Sequence, residues 1–338
     1  MQNSSEKIDT KASKAEAKET FDLAIVVVNY NTRLHLKRCL VSLKENPFTK
    51  GTFRVVVVDN GSKDGSVAMV EREFPWVMLI KNSRNLGFAK GCNQGIKAVR
   101  AKYYLLLNSD AAILDDALDV LFEFMEKNPD IGASGGLIYT DDGKIQPSTL
   151  IFPKYTNLLF SRSSIFSKIP ALRKRMQRLR RVPDFISDVE ALAGGFLMLR
   201  SEALKQVGLL DERFFIYLED IDICRRLRKA GWRVVFNPNA RILHSWGASS
   251  KKRRAKSFFW HHLSMFKYFQ KHYPYLLPLN LLLFLGLMTH YVTWFFLYSV
   301  SEFSRNGKPA DILKFDIKNS SSSEVSDVQD SSGKRFRG

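Results

Sequence analysis

Cysteine is scarce in this chain, acidic side chains are outnumbered, and the short glycine–lysine signatures of common nucleotide-binding folds are missing. The 3 cysteines among 338 residues, Cys39, Cys92 and Cys224, are far apart and form no CxxC pair. This excludes a disulfide framework and a cysteine zinc site, and a reducing compartment is expected. There are 34 Asp+Glu against 52 Lys+Arg, a formal net charge of +18. Such an excess predicts an anionic partner: nucleic acid, a phosphate-bearing ligand or an acidic membrane face. No GxGxxG fingerprint or Walker lysine motif occurs, so the dinucleotide and P-loop readings lose support. No RNP, KH or zinc-finger pattern occurs either, so nucleic acid is not the expected partner. The opening segment, residues 1–20, ends in KASKAEAKET and has no apolar run. It is expected to be a disordered tail and not a secretory leader. No internal repeat is found.

What remains is globular in character, with 45% hydrophobic and 25% charged residues. The length fits two domains or one large α/β domain with appendages. Leu23–Val28, Val55–Val58, Met78–Ile80 and Tyr103–Leu107 are short apolar runs bounded by turn-forming residues. Runs of this kind predict strands buried on both faces, as in parallel sheets. Helix-like stretches lie between them: Leu34–Lys44 with Thr32 as a cap, a segment from Ser62 to Phe74, and Gly87–Ala98. The alternation predicts a doubly wound sheet, whose ligands bind outside the carboxyl ends of the strands.

Further along, Val189–Leu199 returns to an apolar pattern and contains Gly194-Gly195, and Trp232–Phe236 is another expected strand. Between about 155 and 182 basic residues recur with Leu172, Met176 and Leu179 at helical spacing, which predicts a basic amphipathic insertion. A second basic run, Lys251–Arg254, leads into an aromatic-rich helix through Tyr268. Tyr275–Val300 is the most apolar stretch, interrupted by Pro278, Asn280, Thr289 and His290. At about 20 residues such a stretch can cross a bilayer. Its polar interruptions equally suit an in-plane or re-entrant helix, or an oligomer interface. The tail from about 303 to 338 is expected to be disordered.

The strand ends carry the candidate chemistry. Asn29 and Asn31 close the first strand, and Asp59 and Asn60 the second. An acid and amides placed there can bond a nucleobase edge and a ribose diol, although Asx-Gly after a strand is also ordinary turn chemistry. Arg84, Asn85 and Gly87 open the third helix, where backbone amides favour a phosphate and a plain capped helix is the alternative. Asn108-Ser109-Asp110 ends the fourth strand, and a carboxylate there can take one site of Mg²⁺ or Mn²⁺ whose other ligands are diphosphate oxygens and water. Glu219-Asp220-Ile221-Asp222 begins a helix, as macrodipole decoration or as a partly buried general base. His244 sits in a polar loop, able to meet a metal or a phosphate.

The order of these pieces is more specific than any one of them. VNYN, VVDNGSKDGS, NxGFAxGxNxG, NSD, a GG-containing strand, FxYxEDxDxCxRLRxxG and HxWGxS together resemble glycosyltransferase family 2, and within it the rhamnosyltransferase-like branch. The resemblance covers about Leu23 to Ser250. It implies one GT-A nucleotide-sugar transferase domain, about 21–250, with a mostly parallel sheet. A helical membrane-associated extension would follow over about 251–302. It further implies nucleoside contacts at Asn29, Asp59 and Asn85 with Arg84 beside them, a metal aspartate at Asp110, and a histidine near metal and diphosphate at His244. Asp220 is implied as catalytic base, with Glu219 beside it. Asn108 stands where an aspartate is usual, leaving one carboxylate fewer for the metal. The expected activity is inverting transfer, with L-rhamnose from dTDP-rhamnose as the donor suggested by the resemblance. The acceptor would be a glycan or lipid-linked saccharide, and the setting the cytoplasmic membrane face, by peripheral, monotopic or single-span attachment. A processive polysaccharide synthase is the nearest rival, but the QxxRW motif and multiple spans of that class are missing.

Overall fold

The structure is a computed structural model that describes residues 20–156, 182–245 and 254–306. The expected N-terminal tail, most of the basic insertion, Lys251–Arg253 with the end of the histidine loop, and the tail beyond Asn306 lie outside the described residues. Among the described residues a ten-stranded sheet runs through the molecule. Its first half is β1 (Thr20–Asn29), β2 (Phe53–Asp59), β3 (Met78–Lys81) and β4 (Arg100–Asn108), in the order β3-β2-β1-β4 and parallel throughout. The interleaved helices are α1 (Arg33–Glu45), α2 (Ser66–Glu73) and α3 (Phe88–Ala98).

The second half is mixed. It contains β5 (Ala111–Leu114), α4 (Ala117–Lys127), β6 (Ile131–Tyr139) and the two-residue strands β7 (Ile145–Gln146), β8 (Thr149–Leu150), β9 (Ser187–Asp188) and β10 (Ala191–Leu192). β11 (Phe196–Arg200) inserts antiparallel between β4 and β6, and β12 (Arg233–His244) pairs parallel to β6 and antiparallel to β5. Two further helices, α5 (Ser201–Val207) and α6 (Glu219–Lys229), flank β11 and β12 in sequence. β8 and β10 form a separate two-stranded ribbon.

Side chains alternate across a strand, and here that alternation divides the core into two layers. Leu23, Ile25 and Val27 of β1 pack with Leu36, Leu40 and Leu43 of α1 and Leu121 of α4. Ala24 and Val26 face the opposite way, onto Ala89 and Ile96 of α3 and Ile223 and Leu227 of α6. All three cysteines are free and buried. Burial, reinforced by nearby carboxylates, raises their thiol pKa, that of Cys224 to about 12, so they behave as small core residues.

Two more helices complete the described chain, α7 (Arg254–His272) and α8 (Leu277–Asn306). The last runs past the expected boundary of the tail. The chain divides into two compact units, Met1–Thr293 and Trp294–Gly338. In the first, α7 packs through Tyr268 and Phe269 against Phe214 and Leu218, just before α6. The start of α8 is held by Asn280, which is 2% exposed and accepts a 2.6 Å bond from the Tyr155 hydroxyl. His290 meets His262 of α7 at 2.9 Å. Two of the polar interruptions in the apolar stretch are therefore docking residues, while Leu277, Leu281, Leu282 and Leu285 stay exposed. In the second unit, Trp294 stacks on Tyr298, and Phe296, Leu297 and Val300 are exposed. Leu277–Val300 is long and apolar enough, by length and composition, to cross a membrane.

Candidate active site

The parallel register brings the candidate residues to one edge of the sheet. Asn29 pairs with Asp59, Asp59 with Lys81, and Val28 with Asn108, so the ends of β1, β2 and β3 finish level and β4 ends one residue short of them. Asn29 Nδ2 donates to Asp59 Oδ2 at 2.8 Å and to Ser62 Oγ at 3.0 Å, and the Ser62 N–H donates to Asp59 Oδ1 at 2.8 Å. Asp59 is thus aimed and fixed at the edge while its oxygens keep lone pairs for further donors. Asn29 is fully buried, and its role here is to hold Asp59. Asn31 adopts a left-handed backbone (φ 54°) and caps the Asp59–Ser62 turn by accepting from the Lys63 N–H at 2.7 Å.

Thr32 occupies the N-cap of α1 but makes no capping bond there. Its hydroxyl donates to Asn29 Oδ1 at 2.6 Å and meets Ser109 Oγ at 2.9 Å. It joins the β1 and β4 ends instead of closing the helix.

The loop ahead of α3 is tied down from two sides. Asn60 Nδ2 donates to the Gly87 carbonyl at 3.0 Å, and Asn85 Oδ1 accepts from the Gly87 N–H at 2.9 Å. Gly87 has φ 91°, and a β-carbon there would lie 2.5 Å from the Phe215 carbonyl, which accepts the Phe88 N–H at 2.7 Å. Only glycine lets this loop touch the segment leading to α6. Asn60 serves the loop from a buried position, and Arg84 stands exposed beside it.

At the β4 end, Asp110 Oδ1 and His244 Nε2 are 3.0 Å apart, though distant in sequence. β12 makes this possible by pairing His244 with Ala111 of β5. Asn108 Nδ2 lies 3.2 Å from the same Nε2, and Gln146 Oε1 lies 3.0 Å from His244 Nδ1. Gln146 carries no signal in the sequence, being one polar residue in a two-residue strand. Among the described residues no group of three His, Cys, Asp or Glu could hold a metal alone. A carboxylate oxygen and an imidazole nitrogen 3.0 Å apart nevertheless suit a divalent ion that takes its other ligands from a diphosphate.

The acidic segment sits at the start of α6 behind a strained entry, with Tyr217 and Leu218 at φ 70° and 68°. Asp220 Oδ2 accepts from the Gly194 N–H at 2.9 Å, and Oδ1 from the Ile221 N–H at 2.8 Å. Burial raises its pKa, although those two amides oppose the shift. Glu219 is 4% exposed, and its Oε2 has no hydrogen-bond partner. Burial, and then the charge of Asp220, raise the Glu219 pKa well above the usual carboxylate range. Of this pair, Glu219 is the more strongly raised.

Asp222 does something different. It is fully buried, with His272 at 2.8 Å and Lys271 at 2.7 Å on Oδ1, and Arg226 at 2.8 Å on Oδ2. Burial alone would push it up, but these three partners hold it below the ordinary carboxylate range. Asp222 fastens α7 to the start of α6.

A short covalent and hydrogen-bonded path joins the two acidic centres. Asp220 is bonded to Gly194, Gly195 accepts from the Asn108 N–H at 3.1 Å, and Asn108 touches the His244–Asp110 pair. The Gly194-Gly195 turn, between β10 and β11, lies between the carboxylate and the Asp/His pair.

Comparison with known proteins agrees with this architecture. Glycosyl transferase family 2 matches residues 24–208, more than half of the chain. The chain is 30% identical over 260 residues to N-acetylglucosaminyl-diphospho-decaprenol L-rhamnosyltransferase of Mycobacterium tuberculosis (strain CDC 1551 / Oshkosh), covering 72% of this chain and 82% of that protein. It is 24% identical over 254 residues to rhamnosyltransferase WbbL of Escherichia coli (strain K12), covering 72% and 91%. A structure of GalNAc-T7 with UDP, GalNAc and Mn2+ shares the fold, with a TM-score of 0.51 at 19% identity over 66% of this chain and 44% of that one. The chain belongs to glycosyl transferase family 2 and is a glycosyltransferase with the GT-A-like α/β fold.

Proposed function

We propose that the protein transfers a sugar, with inversion, from a nucleoside diphosphate to a hydroxyl of a glycan or lipid-linked saccharide acceptor in cell-surface polysaccharide synthesis. One observation carries the proposal: Asp220 is joined to the Asp110–His244 pair through the Gly194-Gly195 turn and Asn108. An acceptor-activating carboxylate and a diphosphate-binding centre are thereby linked through Gly194, Gly195 and Asn108. L-Rhamnose from a dTDP-linked donor is the proposed sugar, because the relatives named above are rhamnosyltransferases.

In this reading Asp59, with Asn29 and Asn31 behind it, takes the nucleoside. Arg84, Asn85 and the Gly87 loop border the phosphates, and Asn60 holds that loop from below. Asp220 accepts the proton of the acceptor hydroxyl as its oxygen attacks the anomeric carbon from the face opposite the leaving diphosphate. A single displacement inverts that centre, and no enzyme nucleophile is needed. Asp110 and His244, with Asn108 alongside, would hold Mg²⁺ or Mn²⁺, which when bound offsets the charge of the departing diphosphate. The exposed Leu277–Leu285 face and the formal charge of +18 support attachment to an anionic membrane at its cytoplasmic face, where a lipid-linked acceptor would be reached.

The test is transfer from dTDP-rhamnose to an N-acetylglucosaminyl-diphospho-lipid in the presence of Mn²⁺, with UDP- and GDP-sugars in parallel. Anomeric inversion in the product supports the mechanism. A retained configuration, or no transfer from any nucleotide sugar, refutes it.

A further inference from the structure

We propose that Gln146 is a positioning residue that fixes the ring of His244, so that its Nε2 is presented, as a lone pair, to the point it shares with Asp110. The inference rests on the reading that Asp110 and His244 hold a divalent cation. The Gln146 Oε1 atom lies 3.0 Å from His244 Nδ1, and a carboxamide oxygen can only accept, so Nδ1 carries the hydrogen. In the neutral ring the lone pair then falls on Nε2, 3.0 Å from Asp110 Oδ1, and two acceptors that close call for a cation between them. Asn108 Nδ2, a donor 3.2 Å away, faces that nitrogen. Gln146 thus anchors the imidazole through Nδ1, and exchanging its tautomer or flipping the ring would lose that bond.

The surroundings hold Gln146 in place. β7 returns onto β6 with Gln146 opposite Ile138 and Ile145 opposite Tyr139. The hairpin between them is closed by the Thr140 N–H to the Lys144 carbonyl at 2.9 Å. Arg38 Nη1 donates to Asp141 Oδ1 at 2.8 Å, at the hairpin tip, and to Ser245 Oγ at 3.1 Å, immediately after His244. One guanidinium from α1 therefore spans both the strand that supplies Gln146 and the strand that supplies His244. Outer partners that set the ring of a metal-binding histidine usually change metal affinity about 10–100-fold when removed.

Mn²⁺ binding is measured on the full-length protein by electron paramagnetic resonance titration with dTDP present, for wild type, Gln146→Leu and Gln146→Glu. Gln146→Leu is expected to weaken Mn²⁺ binding about 10–100-fold without changing the melting temperature of the metal-free protein. Gln146→Glu, whose carboxylate still accepts from Nδ1–H, is expected to restore wild-type affinity or exceed it. Unchanged affinity in Gln146→Leu overturns the inference, as does a Glu variant as weak as the Leu variant. A wild-type protein that binds no Mn²⁺ overturns the metal reading itself, and the inference with it, so the two failures are told apart by the wild-type titration.

Discussion

The Asp220 carboxylate is held by the Gly194 backbone N–H at 2.9 Å, and the next residue, Gly195, is bonded to Asn108 beside the Asp110–His244 pair. Backbone thus positions the proposed base, so that its place does not depend on a side chain free to change rotamer.

Asp220→Asn keeps both the size of the side chain and an oxygen for the Gly194 bond, but it cannot take a proton. The turnover number is expected to fall about 10²–10⁴-fold, with nucleotide binding by thermal shift unchanged. Near-wild-type transfer would remove Asp220 from its assigned role.

Glu219→Gln tests the division of labour within the pair. Burial and the charge of Asp220 favour the neutral form of Glu219, which glutamine reproduces, and activity is expected to stay within about tenfold of wild type, far above Asp220→Asn. The stability effect has a definite sign. A carboxyl whose folded pKa is raised favours the folded state least at high pH, and the cost vanishes below its unfolded value near 4. Denaturation curves should therefore show the Glu219→Gln variant gaining on wild type as pH rises from about 4 through neutrality, with no gain at the acid end.

The pH profile follows from the raised pKa of Asp220. The acid limb of kcat/KM should lie above the ordinary aspartate range, activity falling as the pH drops through the raised pKa and the base is protonated. An acid limb at or below the ordinary aspartate value contradicts this.

Gly87→Ala places a β-carbon 2.5 Å from the Phe215 carbonyl at a φ of 91°. Strain of this kind costs about 1–3 kcal/mol. The expected result is a lower denaturation midpoint together with a higher KM for the nucleotide sugar, because the donor loop and the segment entering α6 must separate.

Asp222→Asn leaves Arg226, Lys271 and His272 around a neutral amide. Removing one partner of a buried charge cluster costs about 3–5 kcal/mol. Urea denaturation should show that loss, and limited proteolysis should show α7 cut more readily than in wild type. By the same contacts, truncation at residue 250 should destabilise the catalytic unit instead of releasing it.

Much of this was legible in the sequence, for physical reasons. β1, β2 and β4 are buried on both faces, so they appear as unbroken β-branched and leucine runs, and Asn29, Asp59 and Asn108 mark their ends. β6 was not legible. Its Gly132, Ser134, Gly135 and Gly136 have little strand propensity, yet a β-carbon on Gly136 would fall 2.1 Å from the Ala240 carbonyl, so the close approach of β12 selects the small residue. β12 is legible only as far as Phe236, because Asn237, Pro238 and Asn239 look like a turn. They form an irregularity in the register between Phe236 and Arg241, and pairing resumes to carry His244 to the site. Gln146 and the Gly194 N–H act through position, which residue type alone does not disclose.

The level strand ends have a consequence for how such an enzyme can diverge. On the proposed reading the nucleoside is met by β1, β2 and the loop after β3, whereas the chemical step is built from β4, β12 and the Gly194-Gly195 turn. Donor preference can drift by exchanging residues at one group of loops while the other is left intact. A length change between Ala191 and Phe196, even by one residue, would break the shared frame, so that turn is where natural variants should show substitutions sparingly and insertions not at all.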